Sequence, residues 1–494
     1  MKPIILIHGY SAESRQSDAA SITDIYGDLP AYLRQSYNVI DIDLSRYITL
    51  NDSVTILDIA RALDRVLNEQ YPNLLQSGFH VIIHSTGALV IRAWIMLFSA
   101  KPSPVCNLIY LAGANFGSGW ASLGQGQIAR WGRFVFEHGA QRGVKVLQAL
   151  ELGSGPTIDM HLRLIEPGTR MLEDYQVQEF IIIGTQADPA WFTFPVRYGH
   201  EDGSDGTVRV SGANLNFNYI KIAPKSGSAR LRWSDMESAI ANADRKSAFP
   251  EYYEMKVSSQ PFFDRQEIPF AIPFQCAHTG DKMGIVSGTL PRDQVRALIR
   301  AGLETPERST ARWSDMVSVF HKATEQTYNN ARTLQKPGLI SFLDDPRNQY
   351  DGHAQVIVRL RDQDGMGIPI ANSDIFFVSE QHEAGTIPIQ SLMEDTSVSG
   401  VSPNTITFYL RVNRFDKHAN DWVYQLGRVE QFALEVTAID PATQRQNPIV
   451  AYLPLRLPLN KEHLTRFVQP NRTTIIDVEL LRLPSPDVYR LISY

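Results

Sequence analysis

The chain is poor in cysteine. Its two thiols, Cys106 and Cys276, among 494 residues, cannot make a disulfide framework. Both sit among apolar neighbours, where a buried free thiol is the expected state. Long hydrophobic runs are also missing: none approaches the ~20 apolar residues that span a bilayer. Nor is there an excess of positive charge. Lys and Arg number 47 against 53 Asp and Glu, a net charge of -6. With no basic run to track phosphates, the composition argues against a nucleic-acid partner. The sequence opens directly on Pro3-Ile4-Ile5-Leu6-Ile7, with no charged region, apolar stretch and cleavage site in succession. A cleaved leader is therefore not expected. The expectation is synthesis in the cytosol and, for action elsewhere, export by a leaderless route. Internal repeats and low-complexity segments are absent too.

What is present is an ordinary globular composition, 43% hydrophobic and 20% charged, long enough for two or three cores. Residues 1–110 alternate strand and helix. Lys2–Ile7 and Tyr37–Ile42 read as strands, and Tyr26–Ser36 reads as helical. Ser53–Glu69 has apolar residues at helical spacing, with Ser53 as the expected N-cap. Apolar strands alternating with helices imply a parallel sheet covered on both faces. Glycine and aromatic residues break this rhythm over 112–178, as a helical cap inserted over a site would. The sheet is expected to resume at Glu179–Ile183 and again at Phe217–Ala223. Residues 225–265 read as irregular, and helices at Arg292–Leu303 and Arg312–Leu334 close the first domain. Turn chemistry marks a linker near 336–352. Beyond it the period is two, and short strands suggest a β-sandwich over 353–494. The expected division is therefore a catalytic domain over 1–335, a linker, and an accessory domain over 353–494.

One stretch carries most of the chemistry. Phe79-His80-Val81-Ile82-Ile83-His84-Ser85-Thr86-Gly87 reads as a buried strand, a sharp turn bearing a serine, and a helix start. That is the layout of a nucleophile elbow, with Ile83 where a glycine is usual. Serine-based acyl transfer needs a nucleophile, a base, a group orienting the base, and donors for the oxyanion. Ser85 is the candidate nucleophile. The strand Ile5-Leu6-Ile7 ends in His8-Gly9-Tyr10, so the oxyanion donors would be the N–H groups of Tyr10 and Thr86. His8 is expected to brace its loop, and His84 to pack rather than react. Two aspartates follow later strands, Asp188 in Gly184–Pro189 and Asp205 in Gly203-Ser204-Asp205-Gly206-Thr207-Val208. The base is expected on a loop after the strand Ile268–Phe274, at His278. His80, inside the elbow strand, His200, ahead of the acid, and His321, on a helix, fit that role less well.

The loop around Asp205 resembles the Asp-Gly-Thr-Val loop of lipases and acyltransferases, which favours Asp205 over Asp188. Ile7-His8-Gly9, His84-Ser85-Thr86-Gly87, Ala112-Gly113-Ala114-Asn115-Phe116-Gly117-Ser118, the Asp205 loop and His278 together resemble an α/β-hydrolase of the lipase and phospholipase branch. The likeness extends to GPI inositol-deacylase-like hydrolases and to bacterial type VI secretion lipase effectors, and covers roughly residues 1–300. It implies hydrolysis of a lipid acyl ester through an acyl-enzyme, with Ser85 attacking, His278 relaying the proton and Asp205 orienting the imidazole. It implies no metal and no cofactor. A delivered effector would also have a secretion or immunity partner, which the residues do not identify.

In the cap, Trp131, Phe134 and Val135 fall at helical spacing beside Arg130 and Arg133. Such a lid can dock on a membrane interface. The same stripe can instead pack as an ordinary cap helix over a closed pocket, as in an esterase or amidase for soluble substrates. In a third reading the sandwich makes the chain a binding module, with Tyr350, Trp422 and Tyr424 as a recognition patch. Aromatic residues in sandwiches more often pack the core.

Overall fold

Ile4, Ile5, Leu6 and Ile7 are all buried, as a strand needs when both faces of its sheet are covered. The computed structural model describes residues 2–7, 26–42, 44, 51–122, 143–187, 201–228, 231–242, 252–257, 267–308, 313–335, 345–379, 385–429, 432–440 and 450–486. The chain divides into two units. The first comprises Met1–Asn216, Phe263–Gly352 and Phe415–Trp422, and the second Phe217–Phe262, His353–Arg414 and Val423–Tyr494.

The first eight strands are β1 (Ile4–Ile7), β2 (Val39–Ile42), β3 (Phe79–His84), β4 (Val105–Leu111), β5 (Gln178–Ile182), β6 (Asn218–Pro224), β7 (Tyr253–Val257) and β8 (Phe270–Ala271). Six of them form one sheet in the first unit, in the order β2-β1-β3-β4-β5-β8. Every pairing in it is parallel. Strand order reverses between β1 and β3. In open parallel sheets, ligands bind beyond the carboxyl ends of the strands at such a switch point. β1 and β3 both end at that edge, and Ser85 follows directly on β3.

Helices form where the apolar spacing predicts them. The helix Ile56–Gln70 buries Ile56, Ile59, Ala60, Leu63, Val66 and Leu67. Its cap is Thr55, not the expected Ser53. Thr55 accepts from the Asp58 N–H while the Asp58 carboxylate accepts from the Thr55 N–H. The position three residues after Ser53 is Ile56, which cannot reciprocate; the Ser53 hydroxyl turns back to Asn51 at 2.9 Å. The helix Gly87–Phe98 is buried from Gly87 to Ile95. The Trp94 indole donates to Asp64 at 3.1 Å, tying the two helices together. Trp313–Arg332 and Arg292–Leu303 are helical as expected.

At the start of β3, His80 is buried with its Nε2 3.8 Å from Glu307. Burial pushes its pKa down to about 4, against the opposing pull of Glu307. The unfolded chain therefore binds a proton near pH 6.5 that the fold refuses. Stability from this group is complete above pH 6.5 and is lost as the pH falls toward 4. A His80→Asn variant should show a shallower loss of stability over that window in urea titrations; an unchanged slope would assign it to other groups.

The second unit holds β6, β7, β9 (Gly352–Asp362), β10 (Ser373–Ser379), β11 (Met393–Val398), β12 (Thr405–Asp416), β13 (Asp421–Tyr424), β14 (Phe432–Ala438), β15 (Val450–Tyr452), β16 (Leu455–Leu459), β17 (Thr473–Leu480) and β18 (Arg482–Pro484), with the ends of β9, β12 and β13 at its borders. One sheet runs β11-β12-β9-β17-β6-β7, with β13 on β12; a second runs β10-β14-β16. Alternate residues such as Val356, Val358, Phe408, Leu410, Leu434 and Val436 fill one core. This matches the expected sandwich. Two expectations change. Asn218–Pro224 does not extend the first sheet: it pairs with β17 in parallel register, Ile220 opposite Ile476. Residues 225–265 are not simply irregular, for they carry the helix Trp233–Asn242 and the strand β7. A strand pairing that spans some 250 residues leaves no local trace in the sequence.

The turn Phe415–Trp422, though flanked in sequence by strands of the second unit, belongs to the first. Tyr350 is buried there, with Trp422 and Phe274 rings at 6.3 and 6.0 Å. These aromatic residues pack, and Tyr350 offers no recognition patch. Both cysteines are free and buried, as expected. Among the described residues no helix is long and apolar enough to cross a membrane.

Candidate active site

Ser85 follows directly on β3, and its main chain is left-handed, φ 54°. A non-glycine residue there is strained and must be held by its surroundings. The Ser85 N–H donates to Leu111 O at the end of β4, and Ser85 O accepts from Ala88 N–H. The turn is thus pinned between a neighbouring strand and its own helix, with the hydroxyl at the sheet's carboxyl edge. Thr86 and Gly87 open the helix, so their N–H groups have no acceptor within it.

His278 leaves the loop after β8. Its Nε2 stands 3.1 Å from Ser85 Oγ, and its Nδ1 2.8 Å from Asp205 Oδ2. Asp205 is 1% exposed and His278 5%, so their pairing is shielded from water. The other carboxylate oxygen, Asp205 Oδ1, accepts from the N–H groups of Thr207 and Val208 at 3.0 and 2.7 Å. Three donors therefore fix the carboxylate. The main chains are joined as well, His278 N–H to Asp205 O at 2.9 Å. On its other flank the histidine loop lies hard against the end of β5. Cys276 O accepts from Gln186 N–H. A Cβ on Gly184 would fall 2.1 Å from Cys276 O, so only glycine fits. Burial, with the Asp205 carboxylate adding to it, pushes the Cys276 thiol well above its ordinary pKa, so it stays a neutral packing group.

Sequence reasoning missed the clamp around the acid. Arg209 and Glu201, eight residues apart, make a two-pronged ion pair of 2.9 and 2.8 Å that closes the loop on either side of Asp205. Arg209 is 1% exposed. The available signal was a pair of opposite charges straddling the candidate acid.

Of the expected site residues, the structure brings Ser85, Asp205 and His278 into one hydrogen-bonded line and puts Thr86 at the helix start beside it. Tyr10, the alternative acid Asp188, and the lid residues Trp131, Phe134 and Val135 lie outside the described residues. Within 112–178, where a cap is expected, the described residues include the helices Val144–Ala149 and Gly155–Arg163, with Val146 and Leu147 buried. His321 is half-exposed on its helix beside Glu267. Among the described residues no cluster of side chains could hold a metal ion.

The backbone that carries this sheet and its loops is matched along almost the whole chain by phospholipase PlaB from Legionella pneumophila. The TM-score is 0.74 at 22% identity, covering 99% of this chain and 96% of that one. The first unit has the α/β-hydrolase fold. The structure of PlaB in complex with thio-NAD matches equally, with TM-score 0.74 and 21% identity over 99% and 96% of the two chains. The mature lipase BlEst2 of Bacillus licheniformis is 17% identical over 43% of this chain and 79% of its own, with a TM-score of only 0.32. Residues 3–142 match the family model of palmitoyl protein thioesterases. No curated protein matches the sequence. The expected lipase-like hydrolase is thus met at the level of fold, with a second, β-rich unit that the PlaB match also covers.

Proposed function

We propose that this α/β-hydrolase cleaves acyl esters of lipids through an acyl-enzyme on Ser85. The observation that carries the proposal is the continuous line Ser85–His278–Asp205 at 3.1 and 2.8 Å. His278 would take the Ser85 proton as the oxygen attacks the acyl carbonyl. Asp205, an acceptor held by two main-chain donors, would keep the proton on Nδ1 and favour the imidazolium that forms. The Thr86 N–H, joined by that of Tyr10, would receive the oxyanion. The imidazolium would then protonate the leaving alcohol, and neutral His278 would draw a proton from the water that releases the acid.

A lipid acyl chain is favoured by two names that share it: the matched family model acts on palmitoyl proteins, and PlaB is a phospholipase. The expected transient contact with a membrane surface goes with such a substrate. The family model also makes a thioester a natural second substrate, since the same attack expels a thiolate. The deciding experiment is mass-spectrometric product analysis with phospholipids, acylglycerols, a palmitoyl thioester and short soluble esters, for the protein and its Ser85→Ala variant. Free fatty acid with lysophospholipid or a lower acylglycerol, absent in the variant, is the expected result. Cleavage of short esters alone would replace the lipid reading with a closed-pocket esterase. Equal product from both proteins would remove Ser85 from the mechanism.

A further inference from the structure

His84 stands next to the nucleophile and has no part in the proposed chemistry, yet it touches the base. Its Nε2 is 3.3 Å from the main-chain oxygen of His278. The two rings lie 4.8 Å apart, inclined at 41°. A carbonyl oxygen can only accept, so Nε2 carries the proton in this contact. On the far side the Tyr26 ring meets His84 edge-on at 6.5 Å. The Tyr26 hydroxyl in turn donates to Ile7 O at 2.7 Å, on the last residue of β1. Burial raises the Tyr26 pKa far above its ordinary value, so the hydroxyl remains a donor at any working pH.

His278 has four polar atoms, and each has a partner. Its N–H donates to Asp205 O, its Nδ1 pairs with Asp205 Oδ2, its Nε2 with Ser85 Oγ, and its carbonyl accepts from His84. The first two contacts set its distance from the acid. The last two come from adjacent residues of the elbow. Ser85 Oγ must break its contact during the reaction, whereas the His84 contact need not change. The strained turn therefore holds the base through one bond that reacts and one that persists. We propose that His84 is a positioning residue: its Nε2–H grips the His278 carbonyl and fixes the Ser85–His278 distance while the proton moves. Displacements of about 1 Å at a reacting centre can cost about 100-fold in rate.

The inference rests on the serine-hydrolase reading, and its test separates the two. Three variants serve. His84→Phe keeps a ring without a donor. His84→Asn keeps an amide too short to reach the carbonyl. His84→Gln places an amide N–H near the position of Nε2. All are compared with the native chain for thermal midpoint, for turnover of a chromogenic acyl ester, and for the rate of Ser85 labelling by a fluorophosphonate. The expected result is that Phe and Asn lower kcat and labelling about tenfold with KM within about twofold, while Gln restores both to within about threefold of native. Should His84→Phe fail to fold, the Asn and Gln pair still carries the comparison. Equal kcat in all variants would overturn the proposal. So would a Gln variant as slow as Phe and Asn, or a change confined to KM. A native protein that the fluorophosphonate does not label would sink the hydrolase reading itself, and the inference with it.

Discussion

Replacing His278 by alanine is expected to lower kcat by about 10⁴-fold or more, with KM little changed, the size found when a triad partner is removed from serine proteases. Without the imidazole nothing takes the Ser85 proton, and the hydroxyl is a weak nucleophile at neutral pH. An Asp205→Asn change should be nearly as costly, about 10⁴-fold, for a different reason. The carboxylate accepts from His278 Nδ1 at 2.8 Å while Thr207 and Val208 N–H groups hold its other oxygen. Those two donors would keep the amide oxygen on their side and turn the amide nitrogen toward His278. The imidazole would then accept at Nδ1 and carry its proton on Nε2, the wrong end for a base. Steady-state turnover of a chromogenic ester, with fluorophosphonate labelling of Ser85, measures both. The acid assignment is also exposed to refutation. Activity within about tenfold of native in Asp205→Asn, with collapse in Asp188→Asn, would transfer the role to Asp188.

The elbow, the acid loop and the histidine loop were legible because each is local. A buried apolar strand, a small residue after the serine and a Gly-Ser-Asp-Gly turn announce themselves within a few positions. What could not be read depends on partners distant in sequence. The Arg209–Glu201 clamp is a pair of ordinary charges until the loop folds and buries them. The grip of His84 on His278 joins residues 194 apart. Asn218–Pro224 looks like one more strand of the first sheet, because apolar alternation says that a strand exists but not which neighbour it takes. Its parallel partner, Thr473–Leu480, lies near the far end of the chain. The N-cap of Ile56–Gln70 was missed by two residues for a simpler reason: both Ser53 and Thr55 can cap, and only the position of Asp58 decides between them.

The largest effect on stability is expected at a charge pair that chemistry does not use. Arg92, in the helix that follows the nucleophile, is 1% exposed, and Glu179 of β5 is 2% exposed. The Arg92 guanidinium donates to Glu179, and the Tyr110 hydroxyl donates to the same carboxylate oxygen at 2.7 Å. Burial works against the guanidinium's charge, and Glu179 and Tyr110 outweigh it, so the Arg92 pKa is raised. The network ties the nucleophile helix to β4 and β5 beneath the site. A Glu179→Leu variant would leave a cation in that interior with only a phenol beside it. Removing one partner of such a buried pair costs about 3–5 kcal/mol, whereas replacing both by apolar residues of similar volume is often neutral or stabilising. Urea unfolding should therefore show a loss of that size for Glu179→Leu and a large recovery in the double variant Arg92→Met with Glu179→Leu. The two substitutions would then be strongly non-additive, as residues in contact should be. Additive losses would mean that the two side chains stabilise the fold independently, each through contacts other than the one they share. Ser85 labelling in the double variant completes the argument. If the helix keeps its seat on apolar packing alone, labelling should match the native rate; a slowed rate with stability restored would show that the ion pair sets the orientation of the helix, and with it the angle of the elbow.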